Sequence, residues 1–251
     1  MTRIIMHGCN GKMGQTISRI VKEDEGATIV AGVDPFNGIT NDYPVFAAIA
    51  DCDVEADVVI DFSSAAAVDE LMNWCEEREV GLVLCTTGLT QAQIDRAEKL
   101  AGAIPVLRSA NMSVGINLLE KVLTQISGIL DEAGFDIEIV EKHHNLKKDA
   151  PSGTALALAD AVNEGLSEKY EYIYDRSGRS IQRPKKEIGI SAVRGGTIVG
   201  DHDVIFAGED EVITLSHRAY SKAVFGKGAV QAAKFLTGQK AGMYSMSDVI
   251  G

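Results

Sequence analysis

The strongest constraint on the fold lies at the start of the chain, where the apolar run 3–7 ends in glycines at positions 8, 11 and 14. Met13, Ile17, Ile20 and Val21 then recur at helical spacing, so the glycines mark a turn from a buried strand into a helix. Short apolar runs keep alternating with helical patterns up to about residue 112. Strands are expected at 28–33, 58–61, 82–84 and 104–107. Val68, Leu71, Met72 and Cys75 mark one intervening helix, and Thr90 with Gln93 forms a capping box that opens another. Such alternation implies a parallel sheet covered on both faces, a doubly wound α/β domain.

After Asn111 the rhythm changes. Leu119, Val122, Leu123, Ile126 and Leu130 describe one long amphipathic helix. Residues 135–140 alternate apolar and acidic, as a strand with one wet face does. Segments 188–193, 204–207 and 212–216 read as further antiparallel strands, and 227–236 as a final helix. An α+β second domain with a mixed sheet therefore follows the early strand–helix units.

Composition narrows the function classes. Lys and Arg number 24 against 36 Asp and Glu, a net charge of −12, which argues against a nucleic-acid partner. No apolar run approaches the roughly 20 residues that span a bilayer. The first eight residues lack the apolar stretch of a secretory signal. Cys9, Cys52, Cys75 and Cys85 never pair as CxxC, so neither a disulfide framework nor a metal site is expected. Free thiols fit a reducing cytoplasm.

The glycine-rich turn, Gly8-Cys9-Asn10-Gly11-Lys12-Met13-Gly14, lies where a dinucleotide pyrophosphate sits in a doubly wound fold. Bare backbone lets phosphates approach, and the helix N-terminus supplies N–H donors. Asn10 stands where the usual motif has its second glycine; a turn that merely joins strand to helix is the alternative. Asp34 follows the second strand twenty positions after Gly14, where a carboxylate can bind ribose hydroxyls and repel a 2′-phosphate. Lys12 can offset such a phosphate, so the cofactor expected is NADH or NADPH, leaning to NADH. Otherwise Asp34 simply starts the turn before Pro35. Cys85-Thr86-Thr87 and Ser109-Ala110-Asn111-Met112 follow two more strands and would admit the nicotinamide half, or are ordinary loops.

The most informative stretch is Glu141-Lys142-His143-His144-Asn145-Leu146-Lys147-Lys148-Asp149-Ala150-Pro151-Ser152-Gly153-Thr154. Five of its residues can be cationic within a span of seven, in an acidic chain. Ser152 is the natural N-cap of the helix that follows, and the N–H groups of Gly153 and Thr154 suit a carboxylate guest. A histidine there can deliver a proton at neutral pH, and a lysine can pair with a carboxylate or act as an acid. The alternative is a solvated charged loop.

The segment EKHHNLKKDAPSGTA resembles the signature of the dihydrodipicolinate reductase family. GCNGKMG, the DFS at 61–63, CTTG, SANMSVG and VRGGTIVGDH occur in that family's order along nearly the whole chain. The resemblance implies a Rossmann-type dinucleotide-binding domain of residues 1–113 and 222–251, with residues 114–221 inserted as an α+β substrate-binding and oligomerisation domain, in a homotetramer. It implies that His143 is the proton donor and Lys147 a second donor. His144, Ser152, Gly153 and Thr154 would bind substrate. Gly8 to Met13, Asp34, Cys85 to Thr87 and Ser109 to Met112 would line the cofactor site. The implied reaction reduces a small cyclic imine with two carboxylates in lysine and diaminopimelate synthesis. Cys85 stands where glycine is frequent, Met112 where phenylalanine is frequent, and Lys222 where arginine is often found. Asp34-Pro35 lacks the arginine that often contacts NADPH. Two other readings share the first domain: another amino-acid-pathway dehydrogenase, and a non-catalytic nucleotide sensor whose basic loop binds a partner.

Overall fold

A computed structural model describes residues 1–251, which divide into two compact units, Met1–Ser113 with Ala223–Gly251, and Val114–Lys222. The first unit begins with β1 (Thr2–His7), α1 (Lys12–Lys22), β2 (Ala27–Val33), β3 (Val45–Phe46) and β4 (Val58–Asp61). It continues with α2 (Val68–Glu77), β5 (Gly81–Leu84), α3 (Gln91–Leu100) and β6 (Pro105–Leu107). The second unit holds α4 (Val114–Glu132), β7 (Asp136–His143), α5 (Gly153–Gly165), β8 (Glu171–Ile173), β9 (Glu187–Arg194), β10 (Gly200–Ala207) and β11 (Val212–Ala219). The chain then returns to the first unit with α6 (Ala223–Leu236), β12 (Gly242–Tyr244) and α7 (Met246–Ile250).

The first sheet has the order β12-β6-β5-β4-β1-β2-β3 with every pair parallel. Its central strands are buried on both faces, which is why they read as unbroken apolar runs rather than as alternation. On one face Ile5, Val59, Leu82 and Val106 pack with Leu71, Met72 and Cys75 of α2. Thr90 caps α3 through a complete capping box with Gln93. Gln93 also ties this helix to its neighbour, donating to the Ala65 carbonyl at 2.7 Å and to Asp69 at 2.9 Å.

The second sheet has the order β11-β10-β7-β9-β8. β10 runs antiparallel to β7 and β11, but β9 runs parallel to β7 and to β8. The reading of 188–193 as antiparallel is therefore corrected: alternation along a strand is the same whichever way its neighbour runs. α4 and α5 cover this sheet with Leu119, Leu123, Leu158 and Val162 over Ile137, Ile139, Ile188, Val204 and Phe206. The helices approach closely at Gly128, where a Cβ would stand 2.6 Å from the Gly165 carbonyl oxygen.

Replacing Thr90 by alanine removes its side-chain bond to the Gln93 N–H. A cap of this kind is worth about 1 kcal/mol, or roughly 2–4 °C in Tm for a chain of this size, measurable by thermal unfolding of the purified variant.

Candidate active site

Parallel pairing delivers several strand ends to one edge of the first sheet. His7 pairs with Val33 and Asp61, Asp61 with Leu84, and Val83 with Leu107. The glycine turn, Asp34, residues 62–64, 85–88 and 108–111 all leave the sheet along that edge. Strand order reverses between β1 and β4, the switch point at which open α/β sheets bind ligands.

Here the backbone is bare by necessity. Gly8 has φ +81°, and a Cβ on it would lie 2.6 Å from the Phe62 carbonyl oxygen. A Cβ on Gly14 would drive into the carbonyl oxygens of Gly8 and Cys9. Gly11, the N-cap of α1, has no side chain to bond the first N–H groups of the helix, which leaves that end suited to an anion. Lys12 is exposed beside it and Met13 half-buried.

Asn10, in the second-glycine position, ties the turn to the next strand end. Its N–H donates to Asp34 Oδ2 at 3.0 Å, its Nδ2 donates to the Phe36 carbonyl, and its Oδ1 accepts from Asn41 at 2.8 Å. Asp34 also accepts from the Phe36 N–H at 2.9 Å, so it both shapes the turn around Pro35 and grips the glycine turn. Each of its oxygens keeps a lone pair for a further donor.

The Cys9 side chain points inward, where a Cβ on Gly32 would meet its Sγ at 2.6 Å. Burial, with Asp34 adding, pushes its thiol up to about 11, so Cys9 offers only backbone to a ligand. Thr87 is exposed, while Cys85 and Thr86 are half-buried. Burial, and then Asp61, hold the Cys85 thiol well above its usual range. Ala110 is exposed, Ser109 and Asn111 are half-buried, and Met112 is buried.

Sequence reasoning passed over His7, whose Nδ1 lies 2.8 Å from Asp61 Oδ1 in the buried floor of this edge. Its position at the last residue of β1, directly before Gly8, was the available signal. Asp61 Oδ2 and Thr86 Oγ1 are buried without a hydrogen-bond partner. Bare glycines, an uncapped helix start and unpartnered polar atoms fit a dinucleotide.

In the second unit β7 alternates so that Ile137, Ile139, Glu141 and His143 face inward, and an apolar face ends in two polar residues. The Glu141 side chain is fully buried, and four nitrogens converge on its carboxylate. Arg194 Nη2 donates to Oε1 at 2.7 Å and Arg194 Nη1 to Oε2 at 2.8 Å. The Ser152 N–H donates to Oε1 at 3.0 Å, and His143 Nδ1 approaches Oε2 at 2.6 Å. Burial pushes the Glu141 carboxyl up, but the bonds from Arg194, His143 and Ser152 together outweigh it and hold it below its usual range.

His202 lies edge-on to His143 with ring centroids 5.2 Å apart, and its Nε2 is 3.2 Å from Ser152 Oγ. Burial, with His143 adding, lowers its pKa to about 4.

Ser152 caps α5 by accepting from the Ala155 N–H at 3.1 Å. Its N–H and Oγ are committed inside the protein, so it supports the site and does not face it. Gly153 is exposed at the first helical position with open space where a Cβ would be, and Thr154 is half-buried beside it. His144 is half-buried, its Nδ1 without a partner. Lys147 Nζ pairs with Asp149 at 2.9 Å. The structure thus gathers His143, His144, Lys147, Ser152, Gly153 and Thr154 at one end of β7 and α5. Sequence reasoning missed the roles of Glu141, Arg194 and His202; the inward phase of Ile137 and Ile139, continued two residues, reaches Glu141.

A family model described as the N-terminus of dihydrodipicolinate reductase matches residues 2–112, and one described as its C-terminus matches residues 115–250. A 4-hydroxy-tetrahydrodipicolinate reductase of Caldanaerobacter subterraneus subsp. tengcongensis is 53% identical over 250 residues, covering 100% of this chain and 98% of its own. That of Clostridium novyi is 48% identical over 250 residues, with the same coverage of 100% and 98%. Among solved structures, a dipicolinate-bound dihydrodipicolinate reductase from Paenisporosarcina sp. TG-14 is similar with a TM-score of 0.80 and 27% identity, covering 99% of each chain.

The depressed pKa of His202 makes the fold acid-sensitive. As pH falls below about 6.5 the unfolded chain binds this proton first, so stability is lost progressively down to about pH 4, where the folded form also takes it. Between pH 7 and pH 5 this histidine should cost about 2 kcal/mol, and His202→Asn should flatten that part of the profile in urea unfolding. An unchanged pH slope in the variant would contradict it.

Proposed function

The chain belongs to the dihydrodipicolinate reductase family, and on that premise we propose that it reduces a dihydrodipicolinate-type cyclic imine to tetrahydrodipicolinate, in lysine and diaminopimelate synthesis. The observation that carries this reading is the polar end of β7. There a histidine anchored through Nδ1 stands beside an open helix start, with Lys147 in the loop between them.

A nicotinamide nucleotide, when bound, supplies the hydride. Its pyrophosphate is held by the backbone of the glycine turn, residues 8–13. The nicotinamide half is held by Cys85 to Thr87 and Ser109 to Met112. Asp34 accepts from the ribose hydroxyls with its remaining lone pairs and disfavours a 2′-phosphate, while Lys12 moderates that penalty. The preference leans to NADH.

The side chains of the second unit supply the rest of the reaction. Hydride addition to a C=C–C=N system requires one proton, and neutralised carboxylates make the ring a better acceptor. His143 gives that proton from Nε2. Lys147 leaves its surface partner Asp149, a pair of the kind worth about 0–1 kcal/mol, to meet a substrate carboxylate or act as a second donor. His144 and the N–H groups of Gly153 and Thr154 hold the carboxylates, where the helix start favours negative charge. Residues 114–221 also carry the contacts of a homotetramer, and the enzyme works in the cytoplasm.

The test is a coupled assay on freshly made condensation product of pyruvate and aspartate semialdehyde, with NADH and NADPH oxidation followed separately. His143→Ala should lower kcat by about 10²–10⁴-fold, the usual worth of a general acid, with NADH binding retained. Lys147→Ala should raise KM and lower kcat. A nucleotide sensor has no turnover to lose, and full activity in both variants would overturn the reading. Asp34→Ser should shift the ratio of NADPH to NADH turnover upward by about tenfold, equivalent to ~1.4 kcal/mol.

A further inference from the structure

A histidine that gives up a proton from Nε2 must be held in one orientation and one tautomer. We propose that Glu141 is the positioning residue for His143: its buried carboxylate, clamped by Arg194, fixes the imidazole as the Nδ1–H tautomer and leaves Nε2 to exchange the proton. This inference rests on His143 being the proton donor.

Two carboxylate oxygens offer about four acceptor sites. Three are filled by the two Arg194 nitrogens and the Ser152 N–H, and the fourth faces His143 Nδ1. A guanidinium bound across both oxygens, with the Ser152 N–H beside it, favours the ionised carboxylate, so the oxygen facing Nδ1 is an acceptor and Nδ1 carries the hydrogen. The two Arg194 bonds pair each terminal nitrogen with a different oxygen, the bidentate arrangement that holds a carboxylate in place. Arg194 is itself held, because Nη2 also donates to the Asp149 carbonyl at 2.7 Å and Nη1 to the Val193 carbonyl at 2.8 Å.

Neutral His143 therefore presents its lone pair at Nε2, on the side of the ring away from the carboxylate that lies 2.6 Å from Nδ1. Gly200 keeps that nitrogen clear, since a Cβ there would stand 3.1 Å from Nε2. The groups facing the ring from other elements are Arg194 on β9, His202 on β10 and Ser152 at the start of α5. Lys147 lies in the loop after β7, paired with Asp149, and His217 on β11 acts electrostatically on His202. Glu141 is the anion among them in contact with His143.

Two measurements on the intact enzyme test this. In the first, long-range ¹H–¹⁵N NMR on histidine-labelled wild-type protein reads the tautomer, the His143 signals being those absent in His143→Gln. The expected result is a protonated Nδ1 and a bare Nε2 in the neutral form; an Nε2–H tautomer would overturn the proposal. The second is the pH profile of kcat in Glu141→Gln. Loss of the charge should move the alkaline limb down by at least one pH unit and cut kcat at pH 8 by about 10–100-fold, with NADH Kd changed less than threefold. Glu141→Gln added to His143→Ala should cost little more than His143→Ala alone. A Glu141→Gln enzyme with an unmoved alkaline limb would sink the inference even if His143→Ala is inactive. An active His143→Ala would instead sink the proton-donor reading beneath it. Should Glu141→Gln fail to fold, the NMR result decides.

Discussion

Four nitrogens meeting on the Glu141 carboxylate organise the second unit. They come from β7 itself, from β9 and from the start of α5, so one buried charge ties together two parallel strands and a helix cap. A carboxylate with no water is costly unless its lone pairs are filled, and removing one partner of such a group costs several kcal/mol. The chain meets that demand with Arg194, and the same bonds turn the His143 ring into a fixed direction. Structural necessity and site geometry are one arrangement here. His202 extends it: a neutral histidine packed edge-on to His143 fills the remaining polar corner without adding a second positive charge.

The first unit works by a different physics. Its parallel strands must be joined by helical crossovers, and that requirement brings every strand end and every helix start of the switch point to one edge. What it offers a ligand is mostly backbone: glycines too close to neighbouring carbonyls to bear a Cβ, and a helix start with no side-chain cap. Side chains there mainly hold the backbone, as Asn10, Asp34 and Asn41 do around the glycine turn. The reductase thus divides its labour, with backbone dipoles in one unit and titrating side chains in the other.

Much of this was legible in the sequence because the relevant signals are local. Buried parallel strands give unbroken apolar runs, capping residues sit at fixed offsets, and the Thr90–Gln93 box and the Ser152 cap are both present. The short edge strands β3, β8 and β12 span only two or three residues and leave no period to detect. The direction of β9 was misread because pleat alternation carries no sense of direction. The supporting groups of the site were hardest to see. Glu141 lies in a strand whose other acidic residues, Asp136 and Glu138, face outward, and only the phase of Ile137 and Ile139 betrays it. Arg194 and His202 are more than fifty residues from Glu141 in the chain, and nothing short of the sheet register brings them to it. Ser152 shows the converse: a correct cap whose hydrogen bonds prove to be spent inside the protein.

The central claim is that His143 Nε2 meets the ring being reduced. The direct measurement is the distance from His143 Nε2 to the planar analogue dipicolinate in a crystal structure of the chain with the oxidised nucleotide. The account predicts contact within hydrogen-bond reach, about 3 Å or through one water, with the analogue's carboxylates on His144 and the start of α5. Dipicolinate bound elsewhere, with His143 still locked to Glu141 and far from it, would contradict the account.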